Sequence, residues 1–370
     1  MQVLYILIAI LVFGFLILIH EFGHYLTARL FGVRVFEFAI GMGPKLLWYE
    51  SKKTGIVYSL RMLPIGGFVS MLGEDPKADR EAHPELFADT DPQSDDPIEG
   101  SLGACRPWQK LIVNAAGAVM NLLFGFLLMI AITCASAFSS SGNRLGSTVI
   151  ADFPNQDDPA SSYSQGLRSG DEVLAVNGHR VHIADQLLYD IMREGTEPVV
   201  LTVLRDGEKL DLTIQFPKTE QSGQSFGDAD FRIYAERDHH FGTIVKHTFY
   251  KSVYIVGMVW QSAFDLITGR YSFDAVSGPV GTGQVIADAA KSGLATLANI
   301  TAVITINLGI FNLFPLPALD GGHIFANLAE IITRKKIPPK VTAIIDTVGL
   351  VLLMGLMLVV TAKDIFRLFS

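Results

Sequence analysis

Apolar residues in this chain fall into long runs separated by polar stretches. Four runs are long enough to cross a bilayer as helices, which takes about 20 residues. They cover residues 3–29, 111–138, 293–318 and 341–362. Between the first two, Val35 to Ile40 and Ile56 to Leu63 are rich in β-branched and aromatic residues, and Gly41, Gly43-Pro44 and Gly66-Gly67 interrupt them. That pattern predicts strands joined by turns. Residues 73–105 are polar, acidic and punctuated by proline, which predicts a mobile loop. Residues 140–217 read as a soluble α+β module, with a helical stretch from Ile183 to Arg193 and a hairpin turning at Arg205-Asp206-Gly207. A polar linker follows from 218 to 240. From Phe241 to Ile267, Lys246, His247, Lys251, Gln261 and Asp265 are spaced among apolar residues, which predicts an interfacial helix in preference to a fifth span.

The expected fold is therefore a polytopic α-helical membrane protein with about four transmembrane helices, a membrane-associated β element after the first span and an inserted α+β domain. Its segments run 1–32 (first helix), 33–72 (β element), 73–105 (acidic loop), 106–139 (second helix), 140–217 (inserted domain), 218–292 (linker, interfacial helix and a Ser277-Gly278-Pro279-Val280-Gly281 loop), 293–323 (third helix) and 324–370 (basic loop and fourth helix). Residues 3–19 lack a basic leading segment and a small-x-small cleavage site, so they read as a span and not as a removable signal. Composition agrees, with 49% hydrophobic residues and a positive mean hydropathy. The net charge of −8 arises locally: residues 73–100 carry ten acidic and two basic residues. Nothing suggests nucleic acid, and two cysteines, Cys105 and Cys134, give no disulfide framework.

The first span changes the picture, because it runs directly into His20-Glu21-Phe22-Gly23-His24. Histidines four apart share a helix face and can reach one metal ion, with Zn2+ the expected ion, while Glu21 can act as general base on a water. Ionisable residues at membrane depth are functional hypotheses by default. A catalytic zinc needs a third protein ligand. The third span ends in Asn312-Leu313-Phe314-Pro315-Leu316-Pro317-Ala318-Leu319-Asp320-Gly321-Gly322-His323, where two prolines break the helix. Asp320 is the third-ligand candidate; a helix-capping role for Asp320, and His323 as ligand, are the alternatives. Asn114 and Asn121 in the second span either line the site or hold helices together.

Arg334, Lys335, Lys336 and Lys340 mark the last loop as cytoplasmic. Four spans then place both termini and the inserted domain outside, with His20, His24 and Asp320 toward the cytoplasmic ends of their helices.

Together the membrane-embedded HEFGH, the Asn312–Gly322 run, the SGPVG loop and the Gly166–Gly178 segment (GLRSGDEVLAVNG), which is similar to the core signature of PDZ domains, make the chain resemble a bacterial site-2 protease. This is the intramembrane zinc metalloprotease family that includes the regulator of sigma-E protease, here in a single-PDZ form. The resemblance implies His20, His24 and Asp320 as metal ligands, Glu21 as base, and Asn312, with Asn121, as substrate-binding residues. Where the family often has Gly-Pro-x-x-Asn, this chain has Gly117-Ala118-Val119-Met120-Asn121. The implied substrate is a single-pass transmembrane protein, such as an anti-sigma factor already trimmed outside, or a signal-peptide remnant. The implied location is the bacterial cytoplasmic membrane. A PDZ groove would capture an extended chain by strand addition or the domain would exclude bulky proteins. From other classes, an adaptor with a structural metal would want four closing ligands, and a transporter would want polar positions along several spans.

Overall fold

A computed structural model describes residues 2–74, 76–88, 97–137, 145–221, 224–236, 240–269, 276–335 and 337–369. The chain forms two compact units, residues 1–128 with 258–370, and residues 129–257.

The first unit opens with α1 (Gln2–Leu30), an unbroken apolar helix carrying the histidine motif in its last third. Strands β1 (Val35–Glu50) and β2 (Val57–Met71) follow and are longer than their apolar pattern predicts. Glycines at positions 41, 43 and 66 take φ of 82° to 85°, which lets the strands bend through the expected breaks instead of ending there. Each strand folds back on itself in pairing. Ala39 faces both Phe68 and Ser59, and Ser59 faces both Ala39 and Trp48. The element is thus four strands wide, in the order 67–71, 35–40, 57–60, 47–50, and its outer strands are 67–71 and 47–50. Neither of the two stretches legible as strands, 35–40 and the start of 56–63, is an edge. Inside the element Glu37 binds Lys45 at 3.0 Å and Arg61 at 2.8 Å. Its inner half joins α1 through a core of Ala28, Val35, Phe38, Val69 and Val113. Beyond it Trp48, Leu47 and Leu46 are exposed.

The acidic stretch contains more order than a mobile loop. Helix α2 spans Pro76–Ala82, the Gly73 amide donates to Asp79 at 2.6 Å, and His83 stacks on Phe36 at 4.0 Å. Residues 89–96 of the expected loop lie outside the described residues. Helix α3 (Pro107–Ala137) then leads from the first unit into the second.

The second unit is the inserted domain. Its strands are β3 (Leu145–Asp152), β4 (Glu172–Val176), β5 (His179–Arg180), β6 (Val199–Arg205), β7 (Glu208–Ile214), β8 (Lys218–Gln221), β9 (Gln224–Gly227) and β10 (Arg232–Glu236), with α4 (Ala184–Glu194) between β5 and β6. The main sheet runs β10-β3-β4-β6-β7. Residues 218–236 are therefore not a linker. β8 and β9 make a hairpin, and β10 pairs with β3 to complete the sheet. Its polar, short strands carry too little apolar alternation to be read from sequence. Val173, Leu187, Ile191, Leu201, Val203 and Ile214 form a core with no exposure, closing α4 on one sheet face. The Asp171 carboxylate explains the Gly170-Asp171 signature: fully enclosed, it accepts from Arg205 Nε and Nη2, both at 2.7 Å, and from the Arg168 amide at 2.8 Å. Helix α5 (Phe241–Ile267) begins in this unit. It docks there through Lys251 on Asp185 at 2.7 Å and Tyr250 stacked on His182.

Returning to the first unit, α6 (Pro279–Ser292) occupies what was expected to be a loop. Pro279 at its first turn and Gly293 after its end are ordinary boundary signals. Asp364 anchors its start, accepting from the Gly278 and Gly281 amides at 2.9 and 2.8 Å. Helix α7 (Leu294–Asn312) stops well before Asp320, and α8 (Asp320–Thr333) starts there. The third span therefore ends at Asn312 and not at 318, and half of the expected basic loop is helical. Helix α9 (Pro339–Phe369) closes the chain. Among the described residues four helices are long and apolar enough to cross a membrane, Leu4–Leu30, Pro107–Ala135, Leu294–Asn312 and Val341–Phe366, and α5 is not one of them. Leu352 and Leu358 on α9 are about two-thirds exposed, a surface that belongs in hydrocarbon. The protein is a multi-pass membrane protein.

Candidate metal centre

The α-helical period of α1 puts His20 and His24 on one face, and both are buried. Across from them, the chain between α7 and α8 turns back on itself. Pro315 and Pro317 cannot donate a backbone hydrogen bond, and Ala318 takes a left-handed φ of 65°. Gly322 lies so close that an added Cβ would stand 2.6 Å from Leu316 O, and one on Gly321 would collide with Phe314 O. This tight return delivers Asp320, the first residue of α8, against the histidines.

The three side chains form a nearly equilateral triangle. Asp320 Oδ2 is 3.1 Å from His20 Nε2 and 3.3 Å from His24 Nε2, and the two Nε2 atoms are 3.3 Å apart. His24 Nδ1 donates to Val113 O at 2.8 Å, so in the neutral ring Nε2 holds a lone pair. Asp320 Oδ2 is enclosed without a hydrogen-bond donor. His24 Nε2 thus aims a lone pair at the spot that the Asp320 carboxylate and His20 Nε2 also face; with His20 protonated at Nδ1 the three would repel there unless a cation lay between them. Tetrahedral ligands about 2.0–2.1 Å from a zinc ion are separated by about 3.3 Å, so the residues present fit Zn2+. Among the described residues this is the one group of three or more His, Cys, Asp or Glu side chains able to hold a metal.

Helix α3 closes the back of the site. Gly117 has no side chain because none fits: an added Cβ would stand 2.8 Å from His20 Nε2 and would collide with His24 Nε2. Gly23 likewise lets α1 approach the backbone at Ala116. The alanine at 118 is fully buried, and the glycine beside it is the residue whose missing side chain leaves room for His20 and His24. In the sequence Gly117 stands out only as the first residue of the Gly117–Asn121 motif.

Glu21 extends from α1 toward the outer strand of the β element, where Gly67 leaves it room. An added Cβ at Gly67 would touch Glu21 Cγ at 3.2 Å. Asn312, at the end of α7, is partly exposed, and its Nδ2 is 3.4 Å from His20 Nδ1. Asn121, expected beside substrate, is fully enclosed and faces the same Nδ1 at 3.4 Å. His323 lies away from the triangle, 3.9 Å from Asp346.

A membrane-embedded His-Glu-x-x-His helix joined to an aspartate from a broken helix defines a class of metalloprotease. The chain belongs to peptidase family M50, whose model matches residues 8–356. It is 36% identical over 363 residues to a Clostridium perfringens protein that carries zinc metalloprotease as a provisional name, covering 98% of each chain. It is 27% identical over 423 residues to the regulator of sigma-W protease RasP of Bacillus subtilis, covering 97% of this chain and 98% of that one. The zinc metalloprotease RasP of Shouchella clausii is similar at 27% identity over 430 residues, with 98% of each chain covered.

Proposed function

We propose that this protein is an intramembrane zinc endopeptidase that hydrolyses peptide bonds within transmembrane segments. The observation that carries this reading is the convergence of His20, His24 and Asp320 on one point inside a bundle of apolar helices. A structural zinc would call for a fourth protein ligand, and the cluster has three among the described residues, which supports a catalytic site.

When bound, zinc supplies a Lewis acid that polarises the scissile carbonyl and brings the pKa of a coordinated water toward about 7. Glu21, next to the ligand face, takes the proton of the attacking water and passes it to the leaving amine nitrogen. Asn312, partly open at the broken end of α7, is placed to donate its amide to the substrate carbonyl as negative charge develops there. The outer strand 67–71, lying against Glu21, offers backbone groups to a substrate segment that has left its helix.

The name of the Bacillus subtilis relative, a regulator of sigma-W protease, supports an anti-sigma factor as substrate; a signal-peptide remnant meets the same requirement of a single apolar span. The PDZ-like domain lies on the extracytoplasmic side and the metal centre toward the cytoplasmic side of the bacterial inner membrane. The domain either docks an extended segment or filters substrates by size. The test pairs zinc content with cleavage of a model transmembrane substrate. Glu21→Gln keeps about one zinc per chain and loses cleavage by roughly 10²–10⁴-fold; His24→Ala loses both. Retained cleavage in Glu21→Gln rejects the base.

A further inference from the structure

The two asparagines that reach His20 are not equivalent, and their surroundings separate their roles. If His20 holds the metal through Nε2, its Nδ1 carries the proton and must donate. Whatever faces Nδ1 must then present an oxygen. Asn121 has no solvent exposure, lies with its carboxamide nitrogen Nδ2 3.4 Å from Nδ1, and has an enclosed Oδ1 without a donor. A half-turn of the carboxamide exchanges its oxygen and nitrogen within nearly the same volume, and brings that orphaned oxygen to the one donor the loaded site creates. His24 has already met the same need, its Nδ1 donating to Val113 O. Asn312 is partly exposed, and its Oδ1 is not among the enclosed oxygens left without a donor.

We propose that Asn121 is a positioning residue: its side-chain carbonyl accepts the Nδ1–H of His20, fixing ring orientation and tautomer for metal binding, and it makes no contact with substrate. This rests on the zinc reading of the centre. Carboxylate or carbonyl partners behind a ligating histidine typically change metal affinity by about 10–100-fold.

The test measures zinc affinity of the full chain in detergent by competition with a chelator, which needs no proteolysis. Asn121→Leu, of similar size and without an acceptor, should weaken zinc binding by about 10–100-fold. Its cleavage should recover as zinc is raised, with KM for substrate unchanged. Asn121→Asp keeps an acceptor and should hold zinc at least as tightly as the native chain, which also controls for misfolding. Asn312→Leu should leave zinc affinity unchanged and raise KM or lower kcat. Native zinc affinity in Asn121→Leu with an altered KM would overturn the assignment, as would equal losses in Asn121→Leu and Asn121→Asp. A chain that binds zinc with this pattern and cuts nothing would reject the protease reading alone.

Discussion

Gly117 on α3 faces His24 with no room for a methyl group between them: an ideal Cβ at 117 would overlap His24 Nε2 and press on the His20 ring at 2.7–2.8 Å. The ligand nitrogens of both histidines therefore abut bare backbone. Because packed interiors do not relax freely, Gly117→Ala should displace at least one imidazole. We expect zinc affinity to fall by roughly tenfold or more while the helix content stays native. Zinc competition alongside circular dichroism checks this; native zinc affinity would mean that α3 moves aside.

The inserted domain carries a pH dependence of its own. Burial, with the neighbouring Glu194 carboxylate, raises the pKa of Asp190 from its ordinary value to about 6. A carboxyl whose pKa is higher folded than unfolded binds more protons in the native state, so stability falls as pH rises through the interval from about 4 to about 6. The domain should be more stable at pH 4.5 than at pH 7 from this group by about 1 kcal/mol, solvent screening of a partly exposed carboxyl having reduced the full linkage. Asp190→Asn should remove that slope and stabilise the domain at pH 7. Limited proteolysis of the full chain across this pH range reads it, and an unchanged slope in the variant would assign the effect elsewhere.

What could be read from the sequence depended on how local the cause was. Periodicity and length gave the four spans, and the spacing of His20, Glu21 and His24 is a property of one helix, so the candidate ligand pair was legible at once. Asp320 was legible because Pro315 and Pro317 announce a break. How far α7 retreats was not, since the return is fixed by the close approach of Gly321 and Gly322 to carbonyls that only the folded loop provides. β10 was hidden for a similar reason. Its residues become a strand by pairing with β3, which lies about eighty residues earlier, and nothing in Arg232–Glu236 alone requires it. The edge of the β element was also a matter of tertiary pairing. The stretches with the clearest β pattern, around Phe38 and Tyr58, are interior, as inner strands flanked on both sides tend to be.

The domain boundaries bear on a deletion experiment. Removing 145–217 would strand β10 and the β8–β9 hairpin, so the deletion that respects the fold is 145–236. With a short flexible replacement, cleavage of a short transmembrane substrate should persist, and substrates with bulky external domains should be admitted. Loss of cleavage for short substrates as well would make the domain a required docking site.

The final prediction concerns the substrate's backbone. A peptide bond in a transmembrane helix is hydrogen-bonded and shielded, and each backbone group exposed in lipid costs several kcal/mol. Cleavage requires local unwinding and a new set of partners. Strand 67–71 is the outer strand beside Glu21, so it can supply them. Glycine and proline disfavour helix by about 1 and about 3 kcal/mol, so a substrate with either near the cut should be cleaved faster than a matched poly-leucine helix. On the enzyme, Val69→Pro removes from this strand an amide that also hydrogen-bonds Glu21, so it tests the strand's backbone donor in both roles, whereas Val69→Ala keeps the amide and loses only side-chain volume. Cleavage should fall much further in the proline variant than in the alanine variant, with zinc retained in both. Equal rates for glycine-bearing and poly-leucine substrates would argue against unwinding as the discriminating step, and matching losses in the two Val69 variants would argue against pairing at this edge.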